Sequence, residues 1–326
     1  MDKRIGIKSL LALFAATSAL FAGAVSAQPY PNRPIRFVVP YAAGGLPDTV
    51  ARSLSIRLSE ALGQSIVVDN RPGANGAVAA SNIASSPADG YTFLVTDGSM
   101  MTISPLLSSK LSYDPAKDFV PVSLIAQSPL FLAVHPSVKA NTLAELVSLV
   151  KAKPAALNYG SSGIGSTHHL SMEAMKAGFG IFITHIPFRG SAASVPAMIG
   201  GQVEMVFSAY PSLAGFVKNG QAKLIATNSV KRSNLAPNVP AISESLPGFD
   251  FAVIVVVMAK TGTPPEVISR VSQEIAKIAK RQDFIDQMQI AGIDTIGGDP
   301  AALSTALQEE SRRVAVAAKR ANLKAE

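Results

Sequence analysis

Short apolar segments rich in β-branched residues alternate along this chain with longer segments of helical periodicity. Ile35–Val39 has the composition of a buried strand, and a helix is predicted after it over Thr49–Leu62. The apolar positions of that helix recur at helical spacing: Val50, Leu54, Leu58 and Ala61. Asp48 directly precedes the helix and is of the type that caps a helix N-terminus, so we predict that it is the N-cap.

The same alternation continues to the C-terminus. Further strands are predicted at Ile66–Val68, Tyr91–Thr96, Val122–Ala126, Leu130–Val134, Leu157–Tyr159, Ile181–Ile186, Val203–Phe207, Leu224–Thr227 and Phe251–Met258. Further helices are predicted at Ala77–Ser85, Thr142–Lys151, His168–Ala177, Ala192–Ile199, Pro265–Lys280, Phe284–Ala291 and from Ala301 to about Leu323. This order indicates an α/β fold with mostly parallel sheets, in which ligands bind beyond the carboxyl ends of the strands. A strand, a glycine turn and a helix occur in both halves, which predicts two packed lobes.

Composition narrows the functional class. The chain has 326 residues, of which 48% are hydrophobic and 16% charged, and this excludes disordered, collagen-like and coiled-coil proteins. The net charge of +7 is dispersed, with basic pairs such as Arg312-Arg313 and no long basic run, so nucleic acid is not an expected partner. The chain has no cysteine, which removes disulfides, thiolate metal sites and cysteine nucleophiles together.

The N-terminus has the pattern of an export signal. Basic residues including Lys3 and Arg4 precede the apolar run Leu10–Phe21, which is shorter than the roughly 20 residues needed to span a bilayer. Small or compact residues follow at Ala24–Ala27. We expect a cleavable signal peptide over residues 1–27, cut after Ala27, and export to a bacterial periplasm, with an N-terminal membrane anchor as the alternative.

The sequence does not complete the P-loop, dinucleotide-binding or serine-hydrolase motif. Gly160 and Gly165 have P-loop spacing, but Ser166 stands where the phosphate-binding lysine belongs, and the dinucleotide fingerprint lacks its third glycine. No serine-hydrolase elbow is present, so a hydrolase would need His168 to pair in space with Ser162 or Ser166. No cofactor is predicted.

Two histidines are adjacent on a predicted helix. His168 and His169 lie about 100° apart around a helix axis, so they cannot bind a metal as an i, i+4 pair. We predict no metal site, and surface or capping roles for both.

Loops rich in glycine, serine and threonine precede several of the predicted helices. Such loops present free backbone N–H groups and hydroxyls, and a helix N-terminus is positive, so they favour an anion such as a carboxylate. Simple tight turns remain the alternative for any single loop.

Longer motifs, taken in order, resemble the Bug-type solute-binding proteins of the tripartite tricarboxylate transporter family. The matching segments are Tyr30–Ile35, Val38–Tyr41 with Gly44-Gly45 and Asp48, Val68–Ala74, Ala88–Thr92, Asn158–Ser166 with His169-Leu170, Ile186–Gly190, Gly200–Val203 and Asn238–Pro240. The resemblance runs from Tyr30 to about Leu323, nearly the whole chain after the predicted signal.

The resemblance implies a two-lobed type II periplasmic binding protein fold, with two Rossmann-like domains joined by two crossover segments around a ligand cleft. One domain would be 28–127 plus 249–326, and the other 128–248. The implied function is an extracytoplasmic receptor that captures a small carboxylate by lobe closure and delivers it to the membrane permease subunits of the transporter. The receptor would be a monomer and not an enzyme. A periplasmic sensor for a membrane signalling partner and a secreted Ser/His hydrolase are the alternatives.

The resemblance also implies the site. Gly45 to Asp48 would hold one carboxylate, Ser162, Ser166 and Thr167 the other end of the ligand, and Phe188, Arg189 and Gly190 a wall of the cleft. The full implied set is Tyr41, Gly45, Leu46, Pro47, Asp48, Thr96, Asp97, Ser99, Ser162, Ser166, Thr167, Phe188, Arg189, Gly190 and Ser208.

This chain departs from the family at several positions. Ser208 stands where the family usually has aspartate, Ala42-Ala43 replaces a proline-rich turn, and Val255–Val257 replaces a Trp-x-Gly segment. Asp97 places a carboxylate on a cleft loop, where it would either orient a ligand ammonium or hydroxyl, or cap a turn.

Overall fold

The computed structural model describes residues 30–73 and 76–325, so the predicted signal peptide at 1–27 lies outside the described residues. The chain divides into two units, 1–32 and 33–326, and the architecture below is that of the second. In the described part of the chain, no helix combines the length and the apolar character needed to cross a membrane.

Strands and helices alternate throughout, as the sequence predicts. The strands are β1 Ile35–Val39, β2 Ile66–Asn70, β3 Thr92–Asp97, β4 Phe119–Ser128, β5 Leu130–Val134, β6 Asn158–Ser161, β7 Thr184–Pro187, β8 Met205–Ala209, β9 Lys223–Thr227, β10 Val253–Lys260 and β11 Asp294–Gly298. The helices are α1 Leu46–Leu62, α2 Ala77–Ser85, α3 Ser99–Thr102, α4 Ser104–Leu107, α5 Pro115–Asp118, α6 Leu143–Ala152, α7 Thr167–Phe179, α8 Ser191–Ile199, α9 Tyr210–Lys218, α10 Pro265–Ile278, α11 Gln282–Ile290 and α12 Pro300–Arg320.

Two sheets form the α/β architecture. The first has six strands in the order β11-β4-β10-β3-β1-β2, and the second has five in the order β7-β6-β8-β5-β9. Buried apolar side chains such as Val38, Leu94 and Val256 form the core of the first sheet, and Phe131 and Val206 belong to that of the second. The two-lobed α/β fold is therefore confirmed.

The prediction of mostly parallel sheets is wrong, because both sheets are mixed. In the first sheet β1 pairs in parallel with β2 and β3, but β10 runs antiparallel to both β3 and β4. In the second sheet β6 pairs in parallel with β7 and β8, but β5 runs antiparallel to β8 and β9. The antiparallel strands β5 and β10 each enter from the other sheet rather than through a crossover helix, so the parallel handedness rule does not apply to them.

Local differences from the predicted elements have local causes. The helix predicted from Thr49 begins at Leu46 with Gly45 as its N-cap, because Pro47 is tolerated in a first turn; Asp48 is therefore not the cap. The strand predicted over Ile181–Ile186 is confined to β7. Helix α9 was not predicted, since Pro211 and Gly215 weaken its pattern, and β11 was not, since it is a half-exposed edge strand ending in two glycines.

The chain passes between the sheets twice, once from β4 to β5 and once from β9 to β10. Asn228, which is fully buried, joins these two passages. Its side-chain oxygen accepts from the Leu130 amide at 2.7 Å, and its side-chain nitrogen donates to the Phe251 carbonyl and to Ser171. Backbone hydrogen bonds to Leu130 and Phe251 add to these contacts. One side chain therefore fixes both passages relative to each other.

We expect Asn228→Ala to lower the free energy of unfolding by roughly 2–4 kcal/mol. The substitution leaves the buried Leu130 amide and a Phe251 carbonyl bond unsatisfied, and each such group costs about 1–3 kcal/mol. Urea denaturation at pH 7 measures the change. Asn234→Ala, at an exposed asparagine nearby in the sequence, is the matched control and should change stability by less than about 0.5 kcal/mol. A loss below about 1 kcal/mol in Asn228→Ala would contradict the assigned role.

Candidate functional site

Two adjoining cavities lie between the sheets, at the edge where the parallel strands end. The inner cavity, about 30 Å³, is lined by Tyr41, Ala42, Gly45, Leu46, Pro47, Asp97, Leu130, Ser162, Ser166, His168, Gly190, Ser191, Ala192, Ala209 and Val253. The outer cavity, about 790 Å³, shares Tyr41, Ser162 and Gly190 with it and extends past Phe188, Arg189 and Lys110. A separate cavity of about 660 Å³ beside the passages contains none of the predicted site residues.

Helix N-termini form most of the inner wall. Gly45 caps α1, Ser166 caps α7, Gly190 caps α8 and Ala209 caps α9, and all four residues line the inner cavity. The first N–H groups of a helix have no partner within the helix and carry a positive partial charge. Four such ends at one cavity make a field that favours an anion without any lysine or arginine.

The loop before α1 is fixed from below by Asp48, which is only 2% exposed. Its carboxylate accepts from the Gly44 amide at 2.9 Å, the Asn70 side chain at 2.9 Å and Arg52 Nε at 3.0 Å. Burial alone would raise the pKa of Asp48, but the hydrogen bonds from Arg52, Gly44 and Asn70 together lower it. Asp48 does not line either cavity; it positions the loop that does.

Asp97 is the last residue of β3. It closes a turn and also lines the inner cavity. One carboxylate oxygen accepts from the amide and the hydroxyl of Ser99, which closes a turn. The Tyr41 hydroxyl and the Met100 amide also favour the charged form of the carboxylate, and no ion pair among the described residues involves Asp97. The side chain is 5% exposed and lines the inner cavity, and burial raises its pKa.

A second buried carboxyl group lies behind Asp97. Glu310 from α12 accepts from Thr102 at 3.2 Å, and its side chain would clash with any side chain at Gly98. Burial and then the nearby Asp97 carboxylate raise the pKa of Glu310 to about 8. Near neutral pH, Glu310 is therefore largely protonated.

The second sheet contributes hydroxyls to the opposite wall. Ser166 accepts from the His169 amide and donates to the Gly163 carbonyl at 2.7 Å, so its hydroxyl holds the loop closed. The Ser162 hydroxyl lies 3.2 Å from that of Ser191, which in turn lies 3.2 Å from His168 Nε2. This chain of polar groups runs along the cavity.

The two adjacent histidines are both buried, so the surface role is wrong for both, whereas His169 Nδ1 accepts from the Gly165 amide at 3.4 Å before α7, as the capping alternative predicts. His169 stacks on His185 with ring centroids 4.4 Å apart, and burial lowers the pKa of His168 to about 4. No hydrogen bond from the described residues reaches His168 Nδ1. Within the same part of the chain, no group of three possible metal ligands is found.

Several buried polar atoms around the site have no hydrogen-bond partner among the described residues. They are Thr96 Oγ1, Thr167 Oγ1, His168 Nδ1 and Ser208 Oγ. Buried polar groups in folded proteins are nearly always hydrogen-bonded to protein, water or ligand. Of these four residues, only His168 lines the inner cavity.

The outer cavity is lined by basic side chains. Lys110 and Arg189 line it, and no carboxylate does among its described lining residues. Neither cation forms an ion pair within the part of the chain that the structure describes. The cleft therefore gains positive side-chain charge toward its mouth.

The predicted site residues fall into three groups. Tyr41, Gly45, Leu46, Pro47, Asp97, Ser162, Ser166 and Gly190 line the inner cavity, and Phe188 and Arg189 line the outer one. Asp48, Thr96, Ser99, Thr167 and Ser208 are buried and outside both linings.

Sequence reasoning missed Ala42, Leu130, His168, Ser191, Ala192, Ala209 and Val253 as lining residues. Leu130 and Val253 begin β5 and β10, and antiparallel strands begin at the edge where parallel strands end. An expectation of parallel sheets placed them at the wrong edge. The position of Ser191 and Ala192 directly after the predicted wall residue Gly190 was the one available signal.

The sequence matches a known family over residues 50–323, described as the tripartite tricarboxylate transporter family receptor. It is 32% identical to protein BugT of Bordetella pertussis, over 90% of each chain. Among solved structures, R. palustris Rpa4515 with adipate has a TM-score of 0.88 and 34% identity, covering 91% of this chain and all of that one. MatC from Rhodopseudomonas palustris with bound malate has a TM-score of 0.83 and 28% identity, covering 88% and 99%.

We expect Asp48→Asn to destabilise the protein at pH 7 by roughly 1–3 kcal/mol, since hydrogen bonds to a charged group are lost. The lowered pKa of Asp48 means that its contribution is present above the unfolded-state pKa and disappears as the pH falls through the folded-state value. The difference from the wild type should therefore shrink at pH 3. Urea titrations at both pH values test this, with Asp286→Asn, an exposed aspartate, as control. An equal difference at both pH values would contradict it.

Glu310→Gln should behave in the opposite way. A carboxyl group with a raised pKa stabilises the fold below its unfolded-state pKa, and that contribution is lost as the pH rises through the folded-state value of about 8. Between pH 5 and pH 8 the wild type should lose roughly 2–4 kcal/mol that the glutamine variant retains. Chemical denaturation across this range provides the measurement. Parallel pH dependence in the two proteins would show that Glu310 ionises freely in the fold.

Proposed function

The chain belongs to the receptors of the tripartite tricarboxylate transporter family, and we propose that it captures a small carboxylate and delivers it to the membrane subunits of such a transporter. One observation carries the ligand class: four helix N-termini from both sheets converge on one cavity. A carboxylate oxygen accepts hydrogen bonds from such N–H groups and neutralises their partial charge.

The inner cavity fits a carboxylate held without a salt bridge. Its described lining contains no lysine or arginine, and His168, with a pKa of about 4, is neutral at physiological pH. The positive field therefore comes from backbone dipoles and the specificity from hydroxyls such as those of Ser162 and Tyr41. The similar proteins with adipate and with malate support a small organic acid as the ligand.

Lobe closure is proposed from the topology. The domains 28–127 plus 249–326 and 128–248 would rotate about the two passages between the sheets, and ligand bound between them would favour the closed form. We propose that the receptor acts as a monomer in the periplasm after cleavage following Ala27.

We propose a receptor rather than a hydrolase, although Ser191 lies within hydrogen-bond distance of His168. A Ser–His catalytic pair needs a carboxylate at the other imidazole nitrogen to orient the ring and stabilise its protonated form. Among the described residues, nothing bonds to His168 Nδ1. A histidine with a pKa of about 4 is also a weak general base at neutral pH.

Thermal unfolding in the presence of mono-, di- and tricarboxylates tests the ligand class. An acid present at 100 times its dissociation constant should stabilise the protein by about 2.7 kcal/mol, while neutral sugars at the same concentration should have no effect. Isothermal titration then gives the affinity of each acid that shifts the transition. The absence of any shift across the three classes of acid would overturn the proposal.

A pair of variants tests the position of the site. Ala192 lines the inner cavity in the first turn of α8, and its exposed neighbour Ala193 does not. A glutamate at either position is compatible with a helix N-terminus, so both variants should fold. Ala192→Glu should weaken carboxylate binding by about 100-fold or more through charge repulsion, and Ala193→Glu by less than about threefold. Equal affinities would place the site elsewhere.

A further inference from the structure

Asp97 places a buried carboxyl group at a cavity that favours anions. Its carboxylate is 5% exposed, has no ion-pair partner among the described residues, and lines the same cavity as four helix N-termini. A buried carboxylate without a countercharge is costly, and a second anion placed beside it would add repulsion. A ligand that carries only carboxylates is therefore poorly matched to this cavity.

The turn at the end of β3 involves one carboxylate oxygen of Asp97, Oδ1. One oxygen binds the Ser99 amide and hydroxyl, so the turn-capping role is real. The Tyr41 hydroxyl and the Met100 amide also favour the charged form of this carboxylate, but no basic side chain among the described residues forms an ion pair with it.

We propose that Asp97 is a specificity-determining residue that accepts a hydrogen bond from a ligand ammonium group, so that the captured acid is an amino-substituted carboxylate. This rests on the proposed function, since the carboxylate of the same ligand binds the helix N-termini. The ammonium supplies the countercharge that the cavity lacks. The basic residues Lys110 and Arg189 nearer the mouth then face the anionic end of the ligand.

The titratable groups around Asp97 determine the pH dependence. Tyr41 from the loop after β1 and Tyr113 near Met100 are neutral because burial raises the pKa of each. Glu310 from α12 is largely protonated at pH 7, with Asp250 and Arg313 acting on it from further away. His168 across the cavity is neutral.

The ammonium therefore meets Asp97 as the nearest carboxylate that lines the cavity. Because burial raises the pKa of Asp97, affinity for an amino acid ligand should rise as the pH rises. A plain carboxylate that accepts a hydrogen bond from protonated Asp97 should instead bind more weakly as the pH rises.

Matched ligands test the proposal by isothermal titration at pH 7. Two series differ only in one substituent: succinate, malate and aspartate, and adipate, 2-hydroxyadipate and 2-aminoadipate; 4-aminobutanoate and 6-aminohexanoate place the ammonium at the far end. In at least one series the amino member should bind about tenfold or more tightly than the unsubstituted acid. The hydroxy members separate a charged donor from a neutral one.

Variants assign the preference to Asp97. Asp97→Asn should remove most of the amino-over-unsubstituted preference and leave the unsubstituted acids bound as well or better. Asp294→Asn, an aspartate of the separate cavity beside the passages, should leave every affinity unchanged. If Asp97→Asn fails to fold, the opposite pH dependences of amino and plain acids in the wild type remain as the test.

The outcomes separate the two proposals. Binding of plain or hydroxy acids with no amino acid bound, or an amino preference that survives Asp97→Asn, overturns the role of Asp97 and leaves the carboxylate receptor intact. No binding of any acid overturns the proposed function itself. An amino preference lost in Asp97→Asn and rising with pH supports both.

Discussion

The site depends on one constraint: the first N–H groups of a helix have no hydrogen-bond partners within that helix. In this protein α1, α7, α8 and α9 all begin at the edge of the sheets where the parallel strands end. Their N-cap residues line the same cavity, and the N–H groups of a first helical turn need partners other than the carbonyls of the helix. Anion affinity follows from the backbone, before any charged side chain is considered.

The polar side chains around these helix N-termini mainly fix the position of the loops that precede the helices. Asp48 and Ser166 each use their polar atoms on the loop that precedes a helix, and so fix the direction of its amides. Asn228 fixes the two chain passages relative to each other. The two passages join the sheets whose loops line the cleft.

The charges of the cleft then select among anions. Backbone dipoles attract a carboxylate, Asp97 opposes a second one in the inner cavity, and Lys110 and Arg189 accept negative charge nearer the mouth. Receptors of one family can in this way share the helix N-termini that attract an anion and differ in ligand through a single carboxylate in the cavity.

The sequence by itself determined the alternation of strands and helices, the glycine- and serine-rich loops before helices, and the family to which those loops belong. Those features are local, since they depend on side-chain periodicity and on which residues tolerate a turn. Ten of the site residues that the family resemblance implies line one of the two cavities. Only the tertiary structure decided that β5 and β10 run antiparallel and bring Leu130 and Val253 to the cleft, that Asp48 supports a loop instead of capping a helix, and that His168 and Asp97 are buried. Each of these depends on residues distant in sequence that pack together, and burial of a charge is a property of that packing and not of the residue.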